Sequence, residues 1–385
     1  MKAVGFIPLR KGSKGIPGKN KRKMLGRPLF CWVLTEAIFS KLDEVVVFTD
    51  DTEIIEFIEN QFKWSSKVKA VLRPENTAND TASTEIAMLS YCESVNYNFD
   101  IFCLLQATSP FTKAKDINIG LSKIKDGADS SLSVVKTHRF IWNHQGEPVN
   151  YDFENRPRRQ DFDGLLVENG AIYCTKTEAL KESENRISGA IVPFEMPEIS
   201  YTEIDSEADW TIVENLLVRD LKQQKKNSKI THLVLDVDGV FTDGKVLFSE
   251  NGELAKSFDM RDGMGLEILR QFGVKVMVMT SENSALVTAR MKKLKIETVF
   301  LGAKDKFSLL QNYCLQNDLK SNNLAYVGDD VNDMANMCRV GWSFAPANAM
   351  DEIKQIADVN LSKKSGEGAI REAAQFIKKY NTRFQ

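Results

Sequence analysis

The stretch AVGFIPLRKGSKGIPGKNKRK (residues 3–23) decides the fold of the first part of this chain. It begins with an apolar run that is typical of a buried strand. The run continues into a loop (residues 8–23) with three glycines, seven basic residues and no acidic one. Such a loop at the carboxyl end of a strand indicates phosphate binding, because glycine lets backbone N–H groups approach phosphate oxygens. Neither GxxxxGK[ST] nor GxGxxG is present, which excludes those two phosphate loops.

Short β-branched runs alternate with amphipathic segments along the rest of the chain. The first series of runs is 3–7, 44–48, 69–72, 100–105 and 131–135, and the second is 230–239, 275–280, 297–301 and 324–330. This alternation predicts an α/β protein with strands in parallel sheets. The polar run KQQKKNSK (222–229) separates the two series, so we expect two domains, residues 1–225 and 226–385. Asn251 and Gly252 predict a short hairpin after the first strand of the second domain.

The composition is that of a globular protein with few histidines and no cysteine pairs. The formal net charge of the 385 residues is -2, which does not suit a protein that coats nucleic acid or an anionic membrane. The apolar stretches are far shorter than the roughly 18 residues of a spanning helix, and the start lacks a signal-peptide pattern, so we expect a cytoplasmic protein. Six cysteines without CxxC and three histidines leave carboxylates as the acids and bases.

Five further pieces follow the basic loop: LRPENTANDTASTE (72–85), LLQATSP (104–110), RPRRQD (156–161), VENGAIY (167–173) and EIDSEADW (203–210). In this order they resemble the N-acylneuraminate (CMP-sialic acid) cytidylyltransferases over residues 1–225. The resemblance implies a Rossmann-like nucleotide-diphospho-sugar transferase domain that couples CMP from CTP to the anomeric hydroxyl of a nonulosonic acid. N-acetylneuraminate, its deaminated relative KDN and a bacterial diamino nonulosonate are all compatible with the motifs. The alternative, a transferase for the eight-carbon sugar Kdo, fits RPRRQD and the glycine loop less well.

The resemblance also assigns roles to individual residues of the first domain. The residues implied to hold the CTP phosphates are Arg10, Ser13, Lys19 and Asn20. Of these, the cations Arg10 and Lys19 are also implied to be catalytic. Those implied to recognise the cytidine are Arg73 and Ser83. Those implied to contact the acidic sugar, whose carboxylate suits an arginine fork, are Gln106, Arg159, Gln160 and Asn169. The family's DID pair holds Mg²⁺ and reads Glu203 and Asp205 here, with Asp205 the firmer ligand because glutamate is one methylene longer.

The second domain opens with LVLDVDGVFTDG (233–244), in which two aspartates follow an apolar strand. Aspartates at i and i+2 in this place point into the crevice at the carboxyl end of a parallel sheet. MTSEN (279–283), Lys306 and YVGDDVND (326–333) follow in order. The set resembles the haloacid dehalogenase-like (HAD-like) phosphatases, and more narrowly the Kdo-8-phosphate and nonulosonate-9-phosphate phosphatases. It implies a cap-poor HAD-like Rossmannoid domain.

The phosphatase resemblance implies a covalent mechanism. Asp236 is the implied nucleophile that forms an aspartyl-phosphate, and Asp238 protonates the leaving alkoxide and then activates water. Thr280 holds the phosphoryl oxygens and Lys306 stabilises the charged intermediate. The implied ligands of Mg²⁺ are Asp236, Asp329 and the carbonyl group of Asp238, with Asp330 and Asp333 as nearby carboxylates.

Together the two resemblances predict one chain with consecutive activities, dephosphorylation of a nonulosonate 9-phosphate and coupling of the free acid to CMP. The expected partners are CTP, the acid and its 9-phosphate, and the expected cofactor is Mg²⁺. The alternative is an HAD-like domain that serves only assembly, as in related animal proteins, but intact Asp236, Asp238 and Lys306 favour a hydrolase. Ser281 and Glu282 depart from the usual glycine after the threonine, which leaves the phosphate ester open. The insert at 245–258 is too short for a lid, and the cap-poor phosphatases that this domain resembles usually close the site with a neighbouring subunit. The tail SGEGAIREAAQFI (365–377) resembles the segment that reaches that site, so the resemblance implies a homotetramer formed through the second domain.

Overall fold

The computed structural model describes residues 1–12, 15–79, 82–223, 225 and 227–384. The chain divides into two compact units. Unit 1 comprises Met1–Arg22 and Pro28–Val213, and unit 2 comprises Lys23–Arg27 and Glu214–Gln385. Among the described residues, no helix combines the length and the apolar character that crossing a bilayer requires.

Unit 1 is built on a mixed sheet of seven strands within its described residues. The strands of the sheet are β1 (Ala3–Leu9), β4 (Glu44–Thr49), β5 (Val68–Leu72), β6 (Ile101–Leu105), β7 (Ser130–Thr137), β8 (Leu165–Lys176) and β9 (Ile191–Glu195), and the short β2 (Lys23–Met24) and β3 (Arg27–Pro28) lie outside it. The helices are α1 (Leu29–Phe39), α2 (Thr52–Gln61), α3 (Thr84–Ser94), α4 (Ala114–Lys125) and α5 (Thr177–Ser183), and α6 (Glu207–Gln223) begins in unit 1 and continues past Val213 into unit 2. The spatial order of the sheet is β5-β4-β1-β6-β8-β7-β9.

The sheet of unit 1 is buried on both faces. Along β1, Ile7 and Leu9 belong to one apolar cluster, whereas Val4 and Phe6 belong to another. This alternation follows from the two-residue period of a strand. The expectation of parallel strands holds for β1 with β4 and with β6, but β8 runs antiparallel to both β6 and β7. The long polar segment between β7 and β8 allows that reversal, because antiparallel neighbours need no crossover helix.

Unit 2 contains a second, fully parallel sheet in the order β14-β13-β10-β15-β16-β17. Its strands are β10 (His232–Leu235), β13 (Lys275–Met279), β14 (Thr298–Phe300), β15 (Leu324–Val327), β16 (Trp342–Ala345) and β17 (Val359–Asn360). Its helices are α7 (Met260–Gln271), α8 (Ala285–Lys293), α9 (Lys306–Gln316), α10 (Met334–Arg339), α11 (Asp351–Ile356) and α12 (Ala369–Asn381). The predicted hairpin is present as the antiparallel strands β11 (Leu247–Ser249) and β12 (Gly252–Ala255).

Candidate active sites

A cavity of about 340 Å³ lies at the carboxyl ends of β1 and β6 in unit 1. It collects predicted residues from three separate loops, those that follow β1, β5 and β6, which the parallel strands bring to one edge of the sheet. The predicted residues that line it are Arg10, Lys19, Asn20, Arg73, Ser83 and Gln106. Ser13 lies outside the described residues. The structure therefore gathers the proposed CTP contacts, together with one proposed sugar contact, in one place.

The arginines of this cavity form a cationic wall. Arg73 is buried, and its Nε donates a hydrogen bond to Thr77 Oγ1 at 3.1 Å. Burial lowers the pKa of the Arg73 guanidinium, with Arg10 adding to the effect and Asp50 opposing it. Two guanidinium groups that repel each other across a cavity favour a ligand with several negative charges.

Lys19 connects the cavity to the acidic pair. Its ammonium donates to the Ile204 carbonyl at 2.6 Å and lies 3.5 Å from Asp205 Oδ1. The glycine loop also lies against this pair, because a Cβ added at Gly15 would be 2.3 Å from the Asp205 carbonyl oxygen. Burial and then Asp205 raise the pKa of Glu203, while Lys19 opposes the shift. Two carboxylates that repel each other beside a phosphate cavity fit a divalent cation.

Gly170, in the motif VENGAIY, makes room for one of these carboxylates. Its φ is +65°, and a Cβ there would lie 2.6 Å from Glu203 Oε1. A side chain at position 170 would therefore displace Glu203.

We expect Gly170→Ala to lower the rate of CMP transfer by about 10²-fold, because displacing the predicted metal ligand Glu203 would misplace the reacting atoms, and a shift of about an ångström costs that much. The measurement is CMP-sugar formation at saturating CTP. Gly127→Ala is the control, since Gly127 also has a positive φ, +117°, but has open space around it. Equal losses in the two variants would show that backbone strain, and not Glu203, is responsible.

The remaining predicted sugar contacts lie elsewhere in unit 1. Arg159 and Gln160 line a larger cavity of about 790 Å³ beside β7 and β9, with Met196 among its other residues. Asn169 is buried, and its amide is engaged within the fold: Oδ1 accepts from Ser133 Oγ at 2.6 Å, and Nδ2 donates to Ser200 Oγ at 2.9 Å. Asn169 itself lines neither cavity, but its Nδ2 lies 3.4 Å from the sulfur of Met196, which lines the larger one.

The second site lies at the carboxyl ends of β10 and β15 in unit 2. Asp236 directly follows β10 and is buried, and its carboxylate lies 2.7 Å from the ammonium of Lys306. Lys306 also donates to Asp333 at 2.8 Å, and the Tyr326 hydroxyl donates to the same oxygen at 2.7 Å. Asp333, predicted only as a nearby carboxylate, is therefore an integral part of the site.

The carboxylates of this site fit a cation. One oxygen from each of Asp236, Asp329 and Asp333 lies within 4.8 Å of the others. Burial raises the pKa of Asp236 to about 7, with Lys306 opposing the shift and Asp333 adding to it. Burial, then Asp333 and Asp236, raise the pKa of Asp329 to about 8. Among the described residues, the buried Asp329 Oδ1 has no hydrogen-bond partner, which leaves that oxygen available to a metal ion.

Glycine and threonine shape the loops around the cluster. Gly239 has φ +84°, and a Cβ there would lie 1.9 Å from Asp329 Oδ2, so the DVDG glycine is required for the approach of Asp329. Thr280 is buried at the end of β13, and its Oγ1 accepts a hydrogen bond from the Glu282 backbone at 3.3 Å. Asn332 Nδ2 donates to Ser281 Oγ at 3.3 Å, which connects the threonine loop to the loop after β15.

Unit 2 also holds two ion pairs at or beside this site that the motifs did not indicate. The ammonium of Lys256, the residue that follows β12, lies 2.8 Å from the carboxylate of Asp238. Asp305, which caps the helix that begins at Lys306, forms a buried ion pair with Arg27 at 2.8 Å. In the sequence, Lys256 is only a lysine next to a predicted hairpin, and Arg27 is only an arginine far from Asp305. Neither ion pair could therefore be predicted.

Comparison with known proteins identifies relatives of both parts of the chain. A cytidylyltransferase family model matches residues 4–226, and a haloacid dehalogenase-like hydrolase family model matches residues 267–373. The chain is 31% identical to N-acylneuraminate cytidylyltransferase A of Danio rerio over 97% of its length and 87% of that protein's. It is 36% identical to the 3-deoxy-D-manno-octulosonate 8-phosphate phosphatase of Haemophilus influenzae over 40% of this chain and 86% of that protein's. A solved cobalt-bound structure of a phosphatase of this name from Haemophilus influenzae has a TM-score of 0.40 and 34% identity, with 41% of this chain and 92% of that chain covered.

Proposed function

The chain belongs to the N-acylneuraminate cytidylyltransferase family, and from that premise we propose that unit 1 transfers CMP from CTP to a nonulosonic acid. The chain combines this transferase with a haloacid dehalogenase-like hydrolase and is therefore bifunctional. The observation that carries the proposal is the cavity lined by Arg10, Lys19 and Arg73. Lys19 also contacts Asp205 of the acidic pair Glu203 and Asp205, so the cavity and the pair are adjacent.

In the proposed transferase reaction, the anomeric hydroxyl attacks the α-phosphorus of CTP. A bond forms between the anomeric oxygen and phosphorus, the α–β phosphoanhydride bond breaks, pyrophosphate leaves, and the hydroxyl proton passes to solvent. Arg10, Lys19 and Asn20 bind the phosphates, and the two cations offset the charge that develops on pyrophosphate. Arg73 and Ser83, which also line the cavity, bind the cytidine part.

We propose that the carboxylate of the sugar is bound by Arg159 and Gln160 in the larger cavity. Support comes from β8, which contacts residues of both cavities. Its buried Asn169 contacts Met196 of the larger cavity, and the Ala171 carbonyl accepts a hydrogen bond from the backbone N–H of Gln106, which lines the smaller one. A guanidinium group and an amide suit a carboxylate. N-acetylneuraminate and KDN are the two substrates that we rank first.

We propose that unit 2 dephosphorylates a nonulosonate 9-phosphate in two steps. A carboxylate oxygen of Asp236 attacks phosphorus, the ester P–O bond breaks, and Asp238 gives its proton to the departing alkoxide. Water then attacks the aspartyl-phosphate, Asp238 takes a proton from it, and inorganic phosphate leaves. Lys306 and Thr280 stabilise the phosphoryl oxygens.

We propose Mg²⁺ as the cofactor of both sites. Glu203 and Asp205 would hold it in unit 1, and Asp236, Asp329 and the Asp238 carbonyl would hold it in unit 2. When bound, the ion supplies positive charge to phosphate oxygens. The unpartnered Asp329 Oδ1 supports this assignment for unit 2.

We propose that the transferase domain is residues 1–225 and the phosphatase domain residues 226–385, although residues 23–27 and 214–225 belong to the second compact unit. A homotetramer formed through the second domain is proposed because Leu247, Phe248 and Leu254 of the hairpin expose large apolar side chains. The cytoplasm is the proposed location, in keeping with six buried cysteines that form no disulfide.

The experiment that tests both activities uses one preparation of the full chain with Mg²⁺. Phosphate release is measured from N-acetylneuraminate-9-phosphate, KDN-9-phosphate and Kdo-8-phosphate, and CMP-sugar formation is measured from CTP and each free acid. We expect release from a 9-phosphate, and coupling of the acid that results.

Different outcomes refute different parts of the proposal. Coupling without any phosphate release would show that unit 2 is an assembly module or acts on another ester. Preference for Kdo in both assays would refute the nonulosonate assignment. Failure to couple any acid would refute the transferase activity itself.

A further inference from the structure

Lys256 lies at the exit of the β11–β12 hairpin with its side chain only 1% exposed. Its ammonium contacts both carboxylate oxygens of Asp238, at 2.8 and 2.9 Å, and lies 3.2 Å from Glu253. A buried ammonium is costly unless it is paired, so these two carboxylates determine where Lys256 sits. Burial alone lowers the pKa of Lys256, but Asp238 and Glu253 outweigh it and leave the pKa above its ordinary value.

The contact continues beyond Lys256 to a second loop of the site. Glu253 accepts a hydrogen bond from the hydroxyl of Ser284. Ser284 caps α8, which follows the loop of Thr280. This series of contacts, from Ser284 through Glu253 and Lys256 to Asp238, therefore connects the hairpin to the loops that carry Thr280 and Asp238.

Asp238 has little else to hold its carboxyl group. Its other side-chain contact within the described residues is the hydrogen bond that Thr242 Oγ1 donates at the long distance of 3.5 Å, and its side chain is 28% exposed. A group that transfers a proton must be held within hydrogen-bond reach of the atom that receives it. The bidentate ammonium contact is the one short contact on this carboxylate within the described residues.

We propose that Lys256 is a positioning residue for the acid–base step, in which it fixes the orientation of the Asp238 carboxyl group at the departing oxygen. The proposal rests on the phosphatase activity proposed above. It assigns Lys256 no contact with substrate, so its effect passes entirely through Asp238.

The leaving group provides a test that separates positioning from general stability. A sugar alkoxide needs a proton as it departs, whereas p-nitrophenolate leaves without one, so only the first depends on a well-placed acid. The kcat/KM value reports the steps through formation of the aspartyl-phosphate. We expect Lys256→Met to lower kcat/KM for KDN-9-phosphate by about 10²-fold, and for p-nitrophenyl phosphate by only about threefold.

Two further variants are measured beside Lys256→Met, all in the full chain with Mg²⁺. Lys245→Met removes an exposed lysine that precedes the same hairpin and should change neither ester's turnover. Lys256→Arg keeps the charge and should recover part of the selective loss, and it keeps the test available if Lys256→Met fails to fold by its thermal unfolding profile.

The result that would overturn the proposal is an equal loss for the two esters, which would assign Lys256 to fold maintenance alone. Unchanged turnover of KDN-9-phosphate in Lys256→Met would overturn it as well. If the wild-type chain releases phosphate from neither ester, the proposed phosphatase fails and the role of Lys256 fails with it.

Discussion

Asp236→Asn should abolish phosphate release, with a fall in rate of about 10⁴-fold or more, as is typical when a covalent nucleophile is removed. The amide cannot form the aspartyl-phosphate, and Lys306 loses one of its two carboxylate partners. CMP-sugar formation by the same preparation should stay within about twofold of wild type, because every residue assigned to the transferase belongs to unit 1. Phosphate release and CMP-sugar formation are measured in parallel.

The matched control for Asp236→Asn is Asp243→Asn. Asp243 lies in the same loop, is partly exposed and contacts Lys245 at 3.7 Å. That variant should release phosphate at the wild-type rate. Thermal unfolding should show that Asp236→Asn remains folded, because burial already disfavours the charged carboxylate at position 236. Phosphate release that survives in Asp236→Asn would show that the ester is cleaved by another group or another protein.

Much of both sites was predictable because strand order and motif order determine them together. The apolar runs before Asp236 and Asp329 each predict a strand, and the carboxyl ends of parallel strands meet at one edge of the sheet. The predicted family and the two-domain α/β fold class are confirmed. The glycines of the motifs VENGAIY and LDVDG each give space to a carboxylate that comes from a different segment, which only the structure reveals.

The contacts that escaped prediction are those between segments whose pairing no local pattern encodes. Arg27 and Asp305 are 278 positions apart, and nothing in either neighbourhood indicates the other. Lys256 contacts Asp238 only because the residue that follows the hairpin lies next to the site. The reversal of β8 is a property of the whole sheet, and it carries Asn169 into contact with Ser133 and Ser200. The site roles themselves stay predictions until variants are assayed.

Asp205→Ala should produce the reciprocal result, with CMP-sugar formation lowered by about 10²- to 10³-fold and phosphate release unchanged. Asp205 lies 3.5 Å from the ammonium of Lys19, and Lys19 also lines the cavity proposed for the CTP phosphates. Removal of Asp205 takes away the firmer of the two proposed Mg²⁺ ligands. The variant should therefore also need more Mg²⁺ for half-maximal rate, which is measured by titrating Mg²⁺ at saturating CTP and sugar.

Electrostatics gives this second prediction a readout that does not depend on turnover. Asp205 contributes to the raised pKa of Glu203, so the Glu203 pKa should fall in Asp205→Ala, as measured by the NMR titration of its side-chain carboxyl carbon. Asp100→Ala is the control, because Asp100 is exposed and lies just before β6, at the amino-terminal ends of the strands and away from the cavity at their carboxyl ends. Wild-type coupling and an unchanged Mg²⁺ requirement in Asp205→Ala would remove Asp205 from the metal site. A fall in Glu203 pKa without loss of activity would show that the carboxylates are neighbours that do not share a catalytic ion.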